Sequence, residues 1–373
     1  MSDLWPDSIV LDGQPIALAD VLADVTIHAG RSDVSDEPTA STCQLTIHGV
    51  DGTFTRAFRT GSSLAVTVTD GTSSRPRFTG RITDARLDVD ELTAIAAGPL
   101  STLSQHTIGT TGVWPIETWS ARVTRAFTEA GRQGELVLVP DTGFDPQLAA
   151  RDSSTAGPTK LSDYLAFLAA MVGAAVADLP DGRMLVQAIG ARTLANAIVL
   201  DPADVAYAPG WEQILPAGNI VTVRYTGDQS QSVTVQDQAS IGLYGERPVT
   251  IDTAFVNQSD ALNRANQRLA RSAYSHWNIP EAPVLRGLDL TVGEPVELTE
   301  MPAASPFTFW TPILEGWTDE LSRDEWTMRL ALSDPLASGL IFPWEDVDPA
   351  DLWNTINQTV AWRDAISPEA LHA

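Results

Sequence analysis

Apolar and polar residues alternate through most of the first hundred positions. Val25/Ile27/Ala29, Cys43/Leu45/Ile47 and Leu64/Val66/Val68 each define one apolar face, and a period of two marks half-buried strands. Asp12-Gly13, Asp51-Gly52 and Asp70-Gly71 fall between these stretches; such dipeptides accept the positive φ angles of tight hairpins. The pattern predicts an antiparallel β-domain over roughly 8–98, within a first unit at 1–98.

The period then becomes helical. Trp119, Val123, Phe127 and Ala130 share one face of a helix at 118–130, with Gly131 as its C-terminal stop. Leu161, Leu165, Leu168 and Met171 or Val172 predict a second helix over 161–177. Residues 151–158 read as a loop, and Asp181-Gly182 leads into a strand at Met184-Leu185-Val186. An α/β middle unit is expected at 99–211. Alternation returns in Val221/Val223/Tyr225 and Val233/Val235, breaks for a helix at 259–274, and resumes in Leu290/Val292, Val296/Leu298 and Trp326/Met328/Leu330/Leu332. In that helix Leu262, Ala265, Leu269 and Ala273 face one way while Arg264, Arg268 and Arg271 face another, as for a helix laid on a sheet. A second β-domain with this flanking helix fits 212–336.

A weak internal repeat links the two β-rich stretches. Gly61-x-x-Leu64-x-Val66, then Phe78-Thr-Gly80-Arg-Ile-Thr83-Asp84, then Gly98-Pro99-Leu100 recur in order as Gly293-x-x-Val296-x-Leu298, Leu314-Glu-Gly316-Trp-Thr318-Asp319 and Asp334-Pro335-Leu336. Aligning Gly61 with Gly293, Gly80 with Gly316 and Pro99 with Pro335 gives offsets of 232, 236 and 236. The alignment suggests a duplicated β-domain with the middle unit inserted between its copies.

The extension at 337–373 carries an acidic loop from Pro343 to Pro349 and a helical pattern over 350–366, with Leu352, Trp353, Ile356 and Val360 on one side. Six of the 11 tryptophans lie between Trp310 and Trp362. Trp344, Trp353, Ile356 and Trp362 are therefore candidate anchors for another chain; packing back on their own β-domain is the alternative.

Charge narrows the function. Asp and Glu outnumber Lys and Arg 48 to 23, a formal net charge of −25. Tight nucleic-acid binding rests on cations that neutralise phosphates, so a DNA-grasping role is disfavoured, and Lys160 is the lone lysine. The single cysteine, Cys43, cannot form an intramolecular disulfide and fits a strand core. The first residues carry no signal-peptide pattern and no window has the length of a membrane span, so a chain made in a cytoplasm is expected.

Catalytic motifs are absent: no GxxxxGK, GxGxxG, GxSxG or HExxH occurs. His28, His48, His106, His276 and His372 show no metal-ligand spacing, and His28 and His48 read as cross-strand surface residues. Asp346, Asp348 and Asp351 lack the glycine and final acid of a calcium loop and suit the first turn of a helix instead. Arg264, Arg268 and Arg271 suit salt bridges, within the domain or to an acidic neighbouring copy; a phosphate site is the sharper alternative. No catalytic, metal or cofactor residue is assigned.

The order of parts resembles the tail-hub proteins of tailed bacteriophages, the gp27-like central baseplate hub that long non-contractile tails carry as a tail-associated or minor tail protein. The matching stretches are Ile27-His-Ala-Gly-Arg31 with Pro38-Thr-Ala-Ser41, Phe78-Thr-Gly-Arg-Ile-Thr-Asp84, Ser240-Ile-Gly-Leu-Tyr-Gly-Glu-Arg247, the helix at 259–274 and Gly293-Glu-Pro-Val-Glu-Leu298. The resemblance covers about 8–336. It implies a mainly β chain with two tail-tube-like antiparallel β-barrel or sandwich domains, an intervening α+β segment and a C-terminal helical tail. It further implies a homotrimer whose duplicated chains make a ring of six similar domains, matching a three-fold tip to a six-fold tube. The implied partners are the distal tail protein ring, the tape measure protein and tail-tip, fibre or receptor-binding proteins. DNA would pass transiently through the channel, and the place of action would be the distal end of the virion tail. The alternatives are a hub with cell-wall hydrolase activity and the hub of a contractile injection system.

Overall fold

A computed structural model describes residues 5–11, 14–17, 22–31, 38–49, 58–69, 74–110, 112–194, 196–200, 205, 211–226, 229–284, 289–299, 310–322 and 326–335. The Asp12-Gly13, Asp51-Gly52 and Asp70-Gly71 dipeptides, the expected C-terminal helix, and Trp344, Trp353, Ile356 and Trp362 lie outside the described residues.

The alternating stretches pair into one antiparallel sheet of eleven described strands. Its order is Glu212–Ile214, His276–Val284, Trp326–Ser333, Ile313–Leu321, Leu22–Gly30, Thr42–His48, Glu91–Ala97, Ser74–Leu87, Ser63–Thr69, Trp5–Leu11 and Gln14–Ala17. Val25, Ile27, Cys43, Leu45, Ile47, Leu64, Val66 and Val68 are all buried, as the period of two requires. They form one core with Phe58, Phe78 and Ile82. A second core joins Ile279, Val284, Val296, Leu298, Trp310, Leu314, Leu330 and Leu332. The two stretches expected as separate β-domains therefore share a sheet, because Leu22–Gly30 hydrogen-bonds to Ile313–Leu321 across the join.

The repeat is present as a repeated pairing pattern. Gly61 and Gly293 take φ of 92° and 90°, a left-handed conformation suited to glycine. Gly61 N donates to Ile82 O at 2.7 Å and Ile82 N to Ser62 O at 2.9 Å; Gly293 N donates to Leu314 O at 2.7 Å and Leu314 N to Glu294 O at 2.9 Å. Val66 faces Phe78, and Leu298 faces Trp310. Each following hairpin is bulged at the same place, between Ile82 and Asp84 in one and Leu314 and Gly316 in the other. The structure thus aligns Ile82 with Leu314 and corrects the expected match of Gly80 with Gly316. Ala96, opposite Ile82, corresponds to Leu332, opposite Leu314, so the spacing changes from 232 (314 minus 82) to 236 (332 minus 96) within the second, longer hairpin. One strand further out, Cys43 facing Ala96 matches Ile279 facing Leu332. Beyond that, His28 facing Thr42 matches Glu212 facing Asn278.

Between the halves lies a body with its own core. The helix Trp119–Glu129 begins at Thr118, whose side chain accepts from Ala121 N, and Trp119 Nε1 donates to Leu168 O at 2.7 Å. The helix Leu161–Val172 is shorter than the expected 161–177, because Gly173 takes φ 69° and ends it. Ala175–Asp178 is instead a strand, antiparallel to Met184–Gln187, which runs parallel to Leu136–Val139. Within the expected loop, Arg151–Asp152 pairs with Val113–Trp114 and a short helix spans Ser153–Ala156.

The segment from 220 to 272 departs from the expected layout. Ile220–Tyr225 pairs with Gln231–Gln236 and Pro248–Asp252, apart from the large sheet. Val221, Val223, Phe255, Ala261 and Ala265 join the core of Trp119, Phe127, Leu148 and Leu168. Ala149 N donates to Ala254 O at 2.7 Å and Val256 N to Gln147 O at 3.0 Å, tying the two stretches together. The helix Gln258–Ser272 accordingly belongs to the middle body and not to the second half of the large sheet.

Candidate functional site

No cluster of three or more His, Cys, Asp or Glu side chains suited to a metal ion occurs among the described residues. Polar side chains concentrate instead where the two halves of the sheet meet. Gly316 faces Gly30 in the register, and the strands run on through Trp317↔Ala29, Thr318↔His28 and Asp319↔Ile27 to Leu321↔Val25. The approach is close: a Cβ on Gly316 would lie 2.5 Å from Ala29 O and 2.6 Å from Arg31 O, and one on Gly30 2.3 Å from Glu315 O. Two glycines are needed here because backbone occupies the space of a side chain.

Glu315 sits at the bulge beside this pair and is fully buried. It accepts from Arg31 Nε at 2.9 Å, from Arg192 Nη1 at 2.6 Å and Nη2 at 3.1 Å, and from Ser333 Oγ at 2.8 Å. One carboxylate thereby ties together the first half, the middle body and the second half. Burial alone pushes its pKa up, but the charges of Arg192 and Arg31, with the hydrogen bonds from Arg192 and Ser333, bring it down to about 2.

A second buried group stands farther along the join. Arg77 meets Asp319 through Nε at 3.2 Å and Nη2 at 2.8 and 3.0 Å. Trp317 Nε1 and Trp326 Nε1 donate to the same carboxylate at 3.1 and 2.9 Å. The Arg77 guanidinium lies 5.5 and 5.2 Å from the centroids of those two indole rings, adding a cation–π attraction to the ion pair. Cys43 lies in the adjoining core, and burial, helped by the Asp319 charge, raises its thiol pKa so that it is an unreactive packing residue.

Asp178 fastens the middle body to the sheet. It accepts from Ser41 N and Leu100 N, both at 2.8 Å. Burial outweighs these amides and the charge of Arg132, so its pKa rises to about 6.

The expected arginine stripe points inward. Arg264 and Arg271 are buried, whereas Leu262 is 44% exposed. Arg264 Nη2 donates to Ala170 O at 3.1 Å, near the C-terminal end of the helix Leu161–Val172, where the helix dipole favours a cation. Burial, then the neighbouring Arg271 and Arg268, lowers the Arg264 pKa to about 9; burial, Arg192 and Arg268 lower that of Arg271 to about 10. Among the described residues neither Arg264 nor Arg271 forms a salt bridge. Arg264 and Arg268 line a cleft of about 740 Å³ with Arg31, Leu165 and Val249. His28, as expected, lies on the exposed face of the sheet, bonded to Thr318 Oγ1 at 2.9 Å, and His48 lies 3.4 Å from Glu91.

This architecture occurs in solved structures. The tail protein from Neisseria meningitidis MC58 is 15% identical, with a TM-score of 0.60 over 89% of this chain and 99% of that one. The 43 kDa tail protein of prophage MuSo2 from Shewanella oneidensis is also 15% identical, with a TM-score of 0.59 over 89% and 99%. The chain has the fold of phage tail proteins. Prophage tail protein gp18 from Listeria monocytogenes EGD-e shares this tail-protein fold at 10% identity, with a TM-score of 0.54 over 87% of this chain and 94% of that one. No protein-family model matches the chain, and no curated protein does.

The residues that hold the tail-protein fold together were not singled out by sequence. Glu315, Asp319, Arg77, Arg31, Arg192 and Asp178 each find their partner more than a hundred positions away, or on a different element; Glu315 and Asp319 fall within the repeat and Arg31 within a matching stretch, but neither pattern pairs them. The available signal was an acid in the otherwise apolar run Ile313-Leu-Glu-Gly-Trp.

Proposed function

We propose that the chain is a structural component of a phage tail, the hub of its tip, in which three copies close a ring of six repeated β-units over the end of the tail tube. The observation that carries this reading is the join within the chain. One repeat docks on the other edge to edge in a continuous sheet, with the same bulged hairpin on each side. A unit that adds to its own copy in this way can propagate around an axis, and a closed ring leaves no sheet edge exposed. The fold of phage tail proteins supports the placement in a tail.

The hub acts through interfaces and not through a catalytic constellation. Its neighbours are the distal tail protein ring, the tape measure protein and the tip or receptor-binding proteins, and its place is the distal end of the virion tail. The middle body projects from the ring and gates the channel. The open face of the sheet carries Asp24, Asp84, Glu91, Glu212, Glu281 and Glu320 against Arg81, Arg86 and Arg329, a net acidic surface among the described residues. If this face lines the channel, DNA slides past it without being held, since among the described residues acids outnumber cations on it and no basic track collects phosphates.

Native mass spectrometry of the purified chain and of dissociated tails tests the assembly. A trimer is expected, with no clearing of peptidoglycan in zymograms. A monomer in both preparations contradicts the hub, and clearing abolished by one Asp or Glu substitution establishes the hydrolase instead.

A further inference from the structure

Among the described residues the repeat leaves two strand edges unmatched, and they complement one another. In the second half, Gly316–Leu321 is covered on its outer side by Leu22–Gly30. Its counterpart in the first half is Asp84 onward, since Ile82 corresponds to Leu314. That segment pairs with Glu91–Ala97 on one side only; on the other, the pairing with Ser63–Thr69 ends at Arg81, and among the described residues no strand replaces it. In the first half, Leu22–Gly30 lies outside Thr42–His48 and carries Ile313–Leu321 beyond it. Its counterpart, Glu212–Ile214, pairs with His276–Val284 and is the last strand of the sheet among the described residues.

We propose that these edges form one interface between two copies of this chain: Asp84–Leu87 of one copy pairs antiparallel with 211–214 of the next. The proposal deepens the hub reading and rests on it for the identity of the partner. The register follows by carrying the internal join onto the open edges. Gly316↔Gly30 becomes Asp84↔Ile214, Trp317↔Ala29 becomes Ala85↔Gln213, Thr318↔His28 becomes Arg86↔Glu212, and Asp319↔Ile27 becomes Leu87↔Trp211.

The side chains fit this register. Arg86 comes to lie opposite Glu212, an attractive cross-strand pair, at the place where His28 bonds to Thr318 in the internal join. Arg86 is now 79% exposed, with Asp88 at 3.5 Å. Ala85 and Leu87 face the same side as their partners Ala94 and Leu92, which are buried. Leu87 itself is 55% exposed and Val89 98%. Their counterparts Asp319 and Leu321 are buried by the internal join. On the other edge Leu215 is 57% exposed. It occupies the place of Arg31, whose N donates to Glu315 O at 2.9 Å, so Leu215 N is placed to donate to Thr83 O of the neighbouring copy. A row of apolar residues on an uncovered edge is an aggregation hazard unless something covers it. Because the two edges differ, the contact is head-to-tail, and each copy offers one edge of each kind.

The test uses the full chain, purified at high concentration and in assembled tails. In the A85C/Q213C variant, oxidation is expected to give interchain disulfides that close at the trimer, with none in either single variant; Cys43 is buried and does not compete. Separately, Arg86→Glu and Glu212→Arg are each expected to weaken association by about tenfold or more, and the double variant to recover most of it. A trimer without these crosslinks, or without charge-swap rescue, overturns the proposed edge and leaves the hub reading standing. A chain that is monomeric in both preparations overturns both.

Discussion

Replacing Glu315 by Gln would leave Arg192 and Arg31 buried around a neutral group. Breaking a buried ion pair from one side costs about 3–5 kcal/mol, so Glu315→Gln should lower unfolding stability by that order in urea titrations at neutral pH. The wild type carries a matching pH signature. The Glu315 pKa falls from 4.5 in the unfolded chain to about 2 when folded, so its stabilisation is fully present above the unfolded value and fades as pH falls through the folded one. The difference in stability between wild type and Glu315→Gln should therefore shrink as pH falls from about 5 to 3. Asp178 has the opposite sign: its folded pKa of about 6 makes its contribution most favourable below 3.8 and lost as pH rises through 6. The Asp178 contribution is common to both proteins and cancels in the difference. Gly316→Ala tests the join sterically. Its Cβ would meet backbone oxygens at 2.5 and 2.6 Å, and a loss of about 3 kcal/mol or more is expected by thermal or chemical unfolding. Gly316 stood out as part of the repeat, but the pairing of Glu315 was not legible in the sequence, because a strand acid reads as solvent-facing by its polarity and its buried partners lie far along the chain.

Among the elements, the strands were legible and their ends were not. Val25/Ile27 and Cys43/Leu45/Ile47 announce themselves because a strand with one buried face must alternate, and each is buried as expected. The helix at 161 was overextended because Gly173 interrupts an Ala-rich apolar run whose composition suits a helix or a buried strand equally. Gly173→Ala tests that boundary: a Cβ there meets φ 69° and lies 3.0 Å from Arg264 Nη2, and a cost of about 1–2 kcal/mol is expected in the same unfolding assay. The arginine stripe misled for a different reason. Arginine can lay its stem along apolar surface and carry its head to a helix C-terminus, so helical spacing alone gave Arg264 the wrong side. The repeat was visible in its glycines, but Gly80 and Gly316 are not equivalent. The hydrogen bonds of Gly61 to Ile82 and Gly293 to Leu314 set the register instead.

At the scale of the whole molecule, the sequence suggested three units in line, and the chain folds by a different logic. The first and last β-stretches meet in one sheet, while 220–272 returns to the middle body through Phe255 and Ala265. Such pairings between distant segments leave no local trace in composition. The continuous sheet gives the repeat a structural purpose: the chain contains one finished join and, among the described residues, the two open edges proposed to make another. A low-resolution electron microscopy map of the assembled tail tip measures this directly. Six similar β-units in an unbroken ring, contributed two by each of three chains, is the expected result. Separated pairs of units, or a ring with any other number of chains, would contradict it.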